Sequence, residues 1–244
     1  MTKITITERG ENSKNLNYIL STLREIFNQT ESSFKVVENQ NRIKLEIVVP
    51  EVYKEIIKEE VLDKVADVIA INYKYDYFRK SILVNGLTEV ERELLLASLI
   101  AADLEEDKKY SIERFKRQTE IAIDGIYNFK LILLKNKWKE IVSYIPSYFS
   151  KEQLKDFITY LLDGRKKKIY VDTGRVYDLR FRLQKRGELM NEDFLEGKII
   201  REIILSGCGL IELNGDLPKT DEFYLMEYYG DKVLISKTTW QKLL

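Results

Sequence analysis

The spacing of the apolar residues changes twice within the first 50 positions, and this change constrains the fold more than any other feature of the chain. Residues 2–7 alternate polar and apolar side chains, as a half-buried strand does, and residues 16–27 repeat apolar side chains at helical spacing. Residues 34–37 and 43–49 are β-rich runs joined by the polar segment 38–41, which has the composition of a hairpin turn. The pattern predicts an N-terminal β-α-β-β unit.

The middle of the chain carries the apolar spacing of helices. Apolar side chains in residues 52–69 keep to one helical face, and residues 112–144 form a second long helical pattern. Two helix starts have the spacing of a capping box, namely Thr88 with Glu91 and Ser150 with Gln153. Gly164 is placed to end the last helix in a left-handed conformation. A helical bundle is therefore predicted over residues 51–164.

The composition changes after Gly164, where short β-rich runs alternate with turn residues. Strands are predicted at residues 168–172, 175–183, 210–213, 223–228 and 233–235, with a helix near residues 193–205. These elements predict a small mixed α/β C-terminal region. The chain as a whole is predicted to be α+β, with regions at residues 1–50, 51–164 and 165–244.

The 244-residue chain contains no histidine and a single cysteine, Cys208. Ser-His-Asp catalysis, Cys-His catalysis and Cys/His zinc sites are therefore excluded. Cys208 lies between Gly207 and Gly209 after an apolar helical pattern, where no base would activate it, so we expect a buried thiol at a helix-to-strand turn. The sequence predicts no enzymatic activity, no cofactor and no metal.

Some acidic residues could belong to a metal site, a catalytic motif or a ligand site, and each possibility has a structural alternative. Asp216, Asp221 and Glu222 could supply oxygen ligands to magnesium, but their spacing favours solvated loop acids. Residues 172–174 spell Asp-Thr-Gly, the motif of aspartic proteases, but that chemistry needs a second aspartate in an equivalent loop. Gly125 within a helical pattern indicates close helix packing, and Asp124 is expected to bond the backbone or pair with a lysine, with a ligand role as the alternative.

Charge is segregated in the C-terminal third, although the whole chain balances 40 basic against 40 acidic residues. Residues 165–187 carry nine basic and two acidic residues, a net charge of +7, and residues 188–231 carry three basic and eleven acidic ones, a net charge of −8. The basic residues are the candidate binding residues, namely Arg165, Lys166, Lys167, Lys168, Arg175, Arg180, Arg182, Lys185 and Arg186.

Three interpretations of this segregation stay open. The opposite charges neutralise each other within the fold or across a subunit interface, or the basic segment binds phosphate or nucleic acid, or it binds an acidic protein. Tyr170, Tyr177 and Phe181 lie among the cations, and rings that stack bases beside cations that bind phosphates are typical of nucleic-acid binding. No known nucleic-acid motif accompanies them.

The ends and composition of the chain predict its compartment. The N-terminus lacks the apolar core of a secretory signal, and no run of 18 apolar residues occurs, so no membrane association is expected. One cysteine cannot form an internal disulfide, which fits a reducing interior. We therefore expect a cytoplasmic protein with a protein partner, and self-association is left open.

Residues 122–131 (AIDGIYNFKL), followed by residues 157–162 (FITYLL), resemble the central helices of the YtxC-like family. The upstream helix with its tyrosine-rich end and residues 87–92 (LTEVER) are similar to that family as well. The family consists of sporulation proteins of endospore-forming Firmicutes, and the resemblance covers about residues 52–172. It implies a soluble structural or regulatory interaction protein associated with sporulation, without catalytic residues to carry over.

Overall fold

The computed structural model describes residues 1–39, 41–191 and 193–236. The helices are α1 (Ser13–Gln29), α2 (Lys54–Asp67), α3 (Lys74–Ser81), α4 (Glu89–Ala102), α5 (Leu104–Phe115), α6 (Ile123–Lys130), α7 (Ile132–Tyr144), α8 (Lys151–Leu162), α9 (Lys198–Ser206) and α10 (Lys219–Tyr229). The strands are β1 (Thr2–Arg9), β2 (Ser33–Asn39), β3 (Arg42–Val49), β4 (Glu120–Ala122), β5 (Lys168–Asp172), β6 (Arg175–Tyr177), β7 (Leu210–Asn214) and β8 (Val233–Ile235). The fold is α+β and begins with a β-α-β-β unit, as the sequence predicts.

The chain divides into two compact units. The first combines Met1–Lys74 with Leu104–Ser143, and the second combines Tyr75–Asp103 with the described part of Tyr144–Leu244. Each unit contains one four-stranded sheet. The three regions read from the sequence stay a prediction.

The sheet of the first unit has the strand order β2-β3-β1-β4. β1 and β2 both pair with β3 in antiparallel register, with Ile6 opposite Leu45, and β4 joins β1 in parallel. Ile4 and Ile6 point to the buried face of β1, and the same alternation brings Glu8 into the interior. Gln40, which belongs to the predicted hairpin turn, lies outside the described residues.

The prediction of one helix over residues 112–144 is wrong. β4 interrupts it, and α6 and α7 follow as separate helices. β4 is only three residues long, and it is fixed by hydrogen bonds to β1, a segment more than 100 residues away in the sequence. A local apolar pattern does not carry that information. Between α2 and α3 the backbone forms a π-helical segment, Val68–Tyr73.

The sheet of the second unit has the order β6-β5-β7-β8. β5, β7 and β8 are parallel, and β6 forms an antiparallel edge beside β5. One face is buried, since Ile169, Val171, Val176 and Ile211 are each at most 3 % exposed. α9 contacts β6 on the way from β6 to β7, and α10 packs on α9. The mixed α/β character predicted for this region is confirmed.

Several local predictions in the second unit are confirmed. Both capping boxes form, at Thr88 with Glu91 and at Ser150 with Gln153, and Gly164 has a φ of +68° just after α8. The strand predicted at residues 223–228 is wrong, because those residues lie in α10, which follows Pro218 and ends before Gly230. The strand predicted over residues 175–183 is shortened to β6.

Cys208 is fully buried at the turn between α9 and β7, as expected. Gly207 has a φ of +62° and ends α9, and a Cβ on Gly209 would overlap the carbonyl oxygen of Arg165. The two glycines are therefore required by the backbone conformation and the close approach of Arg165, and not by any reactivity of the thiol. Burial raises the pKa of Cys208 above its ordinary value, against weaker effects of Ser206 and Tyr229, so the thiolate is disfavoured.

Candidate functional site

One face of the second sheet is half-exposed and carries aromatic and charged side chains, and we call it the open face. Alternation along β5 places Lys168, Tyr170 and Asp172 on this face, opposite the buried Ile169 and Val171. The register continues the face onto the neighbouring strands, with Tyr177 of β6 and Glu212 of β7 beside Tyr170. The predicted aromatic residues therefore lie on one surface together with part of the basic segment.

Tyr170 and Phe181 stack on the open face. Their ring centroids are 4.7 Å apart and their planes differ by 12°. The ammonium of Lys168 lies 5.0 Å from the centre of the Tyr170 ring. Phe181 has a φ of +57°, a left-handed conformation that is rare for a bulky residue and costs of the order of 1 kcal/mol or more. The surrounding loop must therefore hold this ring in place.

Asp178 builds that loop. Its carboxylate accepts hydrogen bonds from the backbone N–H of Arg180 at 2.8 Å and of Arg182 at 2.9 Å, and from Nε of Arg182 at 3.1 Å. Its carbonyl oxygen accepts the N–H of Phe181 at 2.9 Å. The loop is thus ordered before any ligand binds, and it leaves Arg180, the residue before Phe181, exposed.

The acidic groups of the open face have partners within the protein. Glu212 forms an ion pair with Lys168 at 2.6 Å, and this hydrogen bond raises the pKa of Lys168 above its ordinary value. Asp172 accepts a hydrogen bond from Nδ2 of Asn214 at 2.8 Å. Within the described part of the chain, the guanidinium of Arg180 has no ion-pair or hydrogen-bond partner. Its charge is therefore available to a ligand.

Arg175 lies opposite Asp172 in the register of β5 and β6 and so joins the open face, whereas Arg165, Lys167 and Arg186 have other positions. Nε of Arg165 donates to the carbonyl of Leu161, and the ammonium of Lys167 donates to the carbonyl of Ser206, both at 2.8 Å. Arg186 is buried, whereas Lys166 is exposed in the segment before β5. Lys185 lines a separate pocket.

Among the described residues, the basic and acidic stretches contact each other at Lys168 and at Arg186, which favours partial neutralisation within the fold. The first is the ion pair between Lys168 and Glu212. The second is Glu202, whose carboxylate accepts the backbone N–H of Arg186 at 3.0 Å and lies near the charge of that residue. Burial raises the pKa of Glu202, and the hydrogen bonds from the backbone N–H groups of Gly187 and Arg186 act against this rise. Glu192 of the acidic stretch lies outside the described residues.

The expectation of solvated loop acids is wrong for Asp221. This residue is 3 % exposed, and Oδ1 accepts the N–H groups of Ile199 and Ile200 at 2.8 and 2.9 Å. It therefore caps the N-terminus of α9 from a distant position in the sequence. Asp216 and Glu222 are exposed, and within residues 1–39, 41–191 and 193–236 no acidic or cysteine cluster is arranged to hold a metal.

Asp124 accepts a hydrogen bond from the backbone N–H of Gly125, which confirms one of the two expectations, and its ion-pair partners are arginines rather than a lysine. Its carboxylate contacts Nη2 of Arg42 at 2.6 Å and Nε of Arg9 at 3.4 Å. Burial acts to raise the pKa of Asp124, but the hydrogen bonds and charge of Arg42 outweigh it, so the pKa is lowered. A Cβ on Gly125 would meet only Cβ of Ala122 at 3.5 Å, so the expectation of close helix packing is wrong there.

Comparison of the chain with models of known protein families, with curated proteins and with solved structures finds no match. In the part of the chain that the structure describes, no helix is long and apolar enough to cross a membrane. The chemistry of the open face is therefore the basis for assigning a function.

Proposed function

We propose that the protein is a non-enzymatic binding protein that holds single-stranded nucleic acid on the open face. The stacked pair of Tyr170 and Phe181 is the observation that carries this proposal, together with the adjacent Arg180, which has no partner among the described residues. Every base has a π-face, so an aromatic platform binds unpaired bases with little sequence preference. Stacking contributes about 1–3 kcal/mol per base.

The geometry favours a single strand over a duplex. A flat sheet face with half-buried rings cannot reach bases that are stacked inside a helix, whereas the bases of a single strand are free to stack on Tyr170, Tyr177 and Phe181. Arg180 precedes Phe181 on an ordered loop, and its exposed cation can meet the phosphates between successive bases.

Binding of the full chain to labelled single-stranded and double-stranded oligonucleotides, measured by fluorescence anisotropy at about 50 and 200 mM salt, tests this function. We expect the single strand to bind more tightly and its affinity to fall with salt. Equal affinity for the duplex would contradict the stacking model, and absence of binding at the lower salt concentration would reject the function.

A second candidate function is binding of a protein partner, and an apolar patch in the first unit favours it. Phe129, Ile132 and Leu133 lie where α6 meets α7, and they are 80, 57 and 65 % exposed. Adjacent large apolar side chains at such exposure are typical of interaction surfaces. Capture of a specific protein by the wild type but not by Phe129→Ser with Leu133→Ser supports this candidate; equal capture rejects it.

The family resemblance adds a cellular context to both candidates. We infer a sporulation-associated role in the cytoplasm of a spore-forming bacterium, from residues 122–131 and 157–162. Deletion of the gene is expected to reduce the yield of spores and to leave vegetative growth unchanged. Normal spore formation in the deletion strain would remove this context without deciding whether the open face binds nucleic acid.

A further inference from the structure

The turn between β5 and β6 lies at the end of the open face, and its backbone is strained. β5 ends at Asp172 and β6 begins at Arg175, so Thr173 and Gly174 alone form the turn. Both have a positive φ, of +45° and +79°, as the tightest hairpin turns require. This conformation is rare for a β-branched residue such as Thr173, and strain of this kind concentrates at binding sites. The two residues that the turn positions, Asp172 and Arg175, are therefore candidates for contact with a ligand.

The register of the sheet brings three polar side chains together beside this turn. Asp172 lies directly opposite Arg175 of β6 on one side and Asn214 of β7 on the other. Asp172 also shares the open face with Tyr170, about 7 Å away along β5. The N–H of Thr173 donates to the carbonyl oxygen of Asn214 at 3.1 Å, which ties the turn to β7. A base that lies on the aromatic side chains therefore has its edge within reach of these polar groups.

Asp172 and Arg175 do not neutralise each other. They are cross-strand neighbours, but in the described ranges neither of them forms an ion pair. Nδ2 of Asn214 donates to Oδ1 of Asp172 at 2.8 Å, which orients the carboxylate. Each carboxylate oxygen can accept two hydrogen bonds, so Oδ1 keeps one position and Oδ2 keeps both. An oriented acceptor and an exposed donor, Arg175, are thus available side by side.

We infer that this end of the open face prefers guanine over the other bases, an inference that rests on the proposed binding of single-stranded nucleic acid. The Watson–Crick edge of guanine carries two adjacent donors, N1–H and the N2 amino group, and the two oxygens of a carboxylate accept both. The same edge of each other common base carries one donor. Arg175 can also donate to O6 and N7 of guanine, the commonest specific contact of an arginine with a base. Stacking supplies affinity for any base, and Asp172 adds the difference.

Fluorescence anisotropy of the full chain with labelled single-stranded pentanucleotides tests this preference. The probes are pentathymidine and its relatives with guanine, adenine, cytosine or hypoxanthine at the central position. Hypoxanthine is guanine without the N2 amino group, so it removes one of the two donors and keeps the ring. We expect the guanine probe to bind at least about fivefold more tightly than the hypoxanthine probe and the other three.

Two variants assign the preference to the carboxylate. Asp172→Asn replaces an acceptor by an amide donor, and it is expected to bind the guanine and hypoxanthine probes equally while its affinity for pentathymidine stays within about twofold of the wild type. Asp163→Asn is the matched control, because Asp163 is an exposed aspartate of the same unit that follows α8, away from the open face. It is expected to keep the preference of the wild type.

Each contrary result overturns a definite part of the account. Equal binding of the guanine and hypoxanthine probes by the wild type would reject the inference and leave the proposed function intact, and this comparison needs no variant. A preference that persists in folded Asp172→Asn would reject the assignment to that carboxylate. Absence of binding to every probe would reject the proposed function and the inference together.

Discussion

Lys74 and Asp107 form an ion pair at 2.8 Å with side chains that are 0 and 1 % exposed. Nε1 of Trp138 donates to the same carboxylate oxygen at 2.8 Å, and the ammonium of Lys137 contacts the other oxygen at 2.8 Å. A buried ion pair is tolerated only when further hydrogen bonds satisfy its oxygens, and this one meets that condition. The cluster therefore ties α5 and α7 to the residue that follows the π-helical segment.

Replacement of Asp107 should destabilise the protein strongly. Asp107→Ala removes the carboxylate and leaves the ammonium of Lys74 in the interior, which costs about 3–5 kcal/mol of unfolding free energy. Urea denaturation measures this loss. Glu106→Ala is the control, because its exposed side chain only approaches Lys137 at 3.5 Å, and a change of less than about 0.5 kcal/mol is expected. Similar losses in both variants would show that the pair does not hold the unit together.

Glu8 should make stability depend on pH. Burial raises its pKa above the ordinary value, partly opposed by hydrogen bonds from the N–H of Arg9, the hydroxyl of Tyr73 and the amide of Asn15. The folded state therefore holds the proton more tightly than the unfolded state does. Its contribution to stability is complete below the ordinary glutamate pKa and is lost as pH rises through the folded pKa.

Glu8→Gln removes this titration, so its stability relative to the wild type should increase between about pH 4 and 7. The unfolding free energies of both proteins across that range give the difference directly. Glu11→Gln, at an exposed glutamate nearby, should follow the wild type. A constant difference between Glu8→Gln and the wild type at every pH would contradict the assignment.

Asp221 should contribute as much to the free energy of unfolding as a strong N-terminal helix cap does. Asp221→Ala leaves the N–H groups of Ile199 and Ile200 without their acceptor, which costs about 1–2 kcal/mol. Thermal unfolding of this variant beside Glu222→Ala, at the exposed neighbour, measures the cap. If both variants melt together, the cap contributes nothing to stability.

Local signals predicted much of this fold, and the errors have one physical origin. Thr88 and Glu91 hydrogen-bond to each other's backbone N–H groups, only three residues apart, so their spacing in the sequence is enough to predict the cap. β4 exists because β1 supplies its hydrogen bonds. Residues 223–228 include three aromatic side chains, which favour strands by propensity, but the segment is helical in its tertiary setting. Contacts between distant segments decide both cases.

In the candidate site too, a local pattern predicted some features, and contacts between distant segments decide the others. Alternation in residues 168–172 places Tyr170 beside Lys168, and the sequence predicted that association. The stack with Phe181 depends on a left-handed residue in a loop built by Asp178, which no periodic pattern reveals.

The central claim is that single-stranded nucleic acid stacks on Tyr170, and the affinity of Tyr170→Leu for a labelled single-stranded oligonucleotide tests it most directly. Tyr160→Leu is the matched control, since Tyr160 is a 78 % exposed tyrosine on α8 of the same unit. The open-face model predicts that Tyr170→Leu loses about 1–3 kcal/mol of binding free energy while Tyr160→Leu binds like the wild type. Equal affinity of the two folded variants would contradict it.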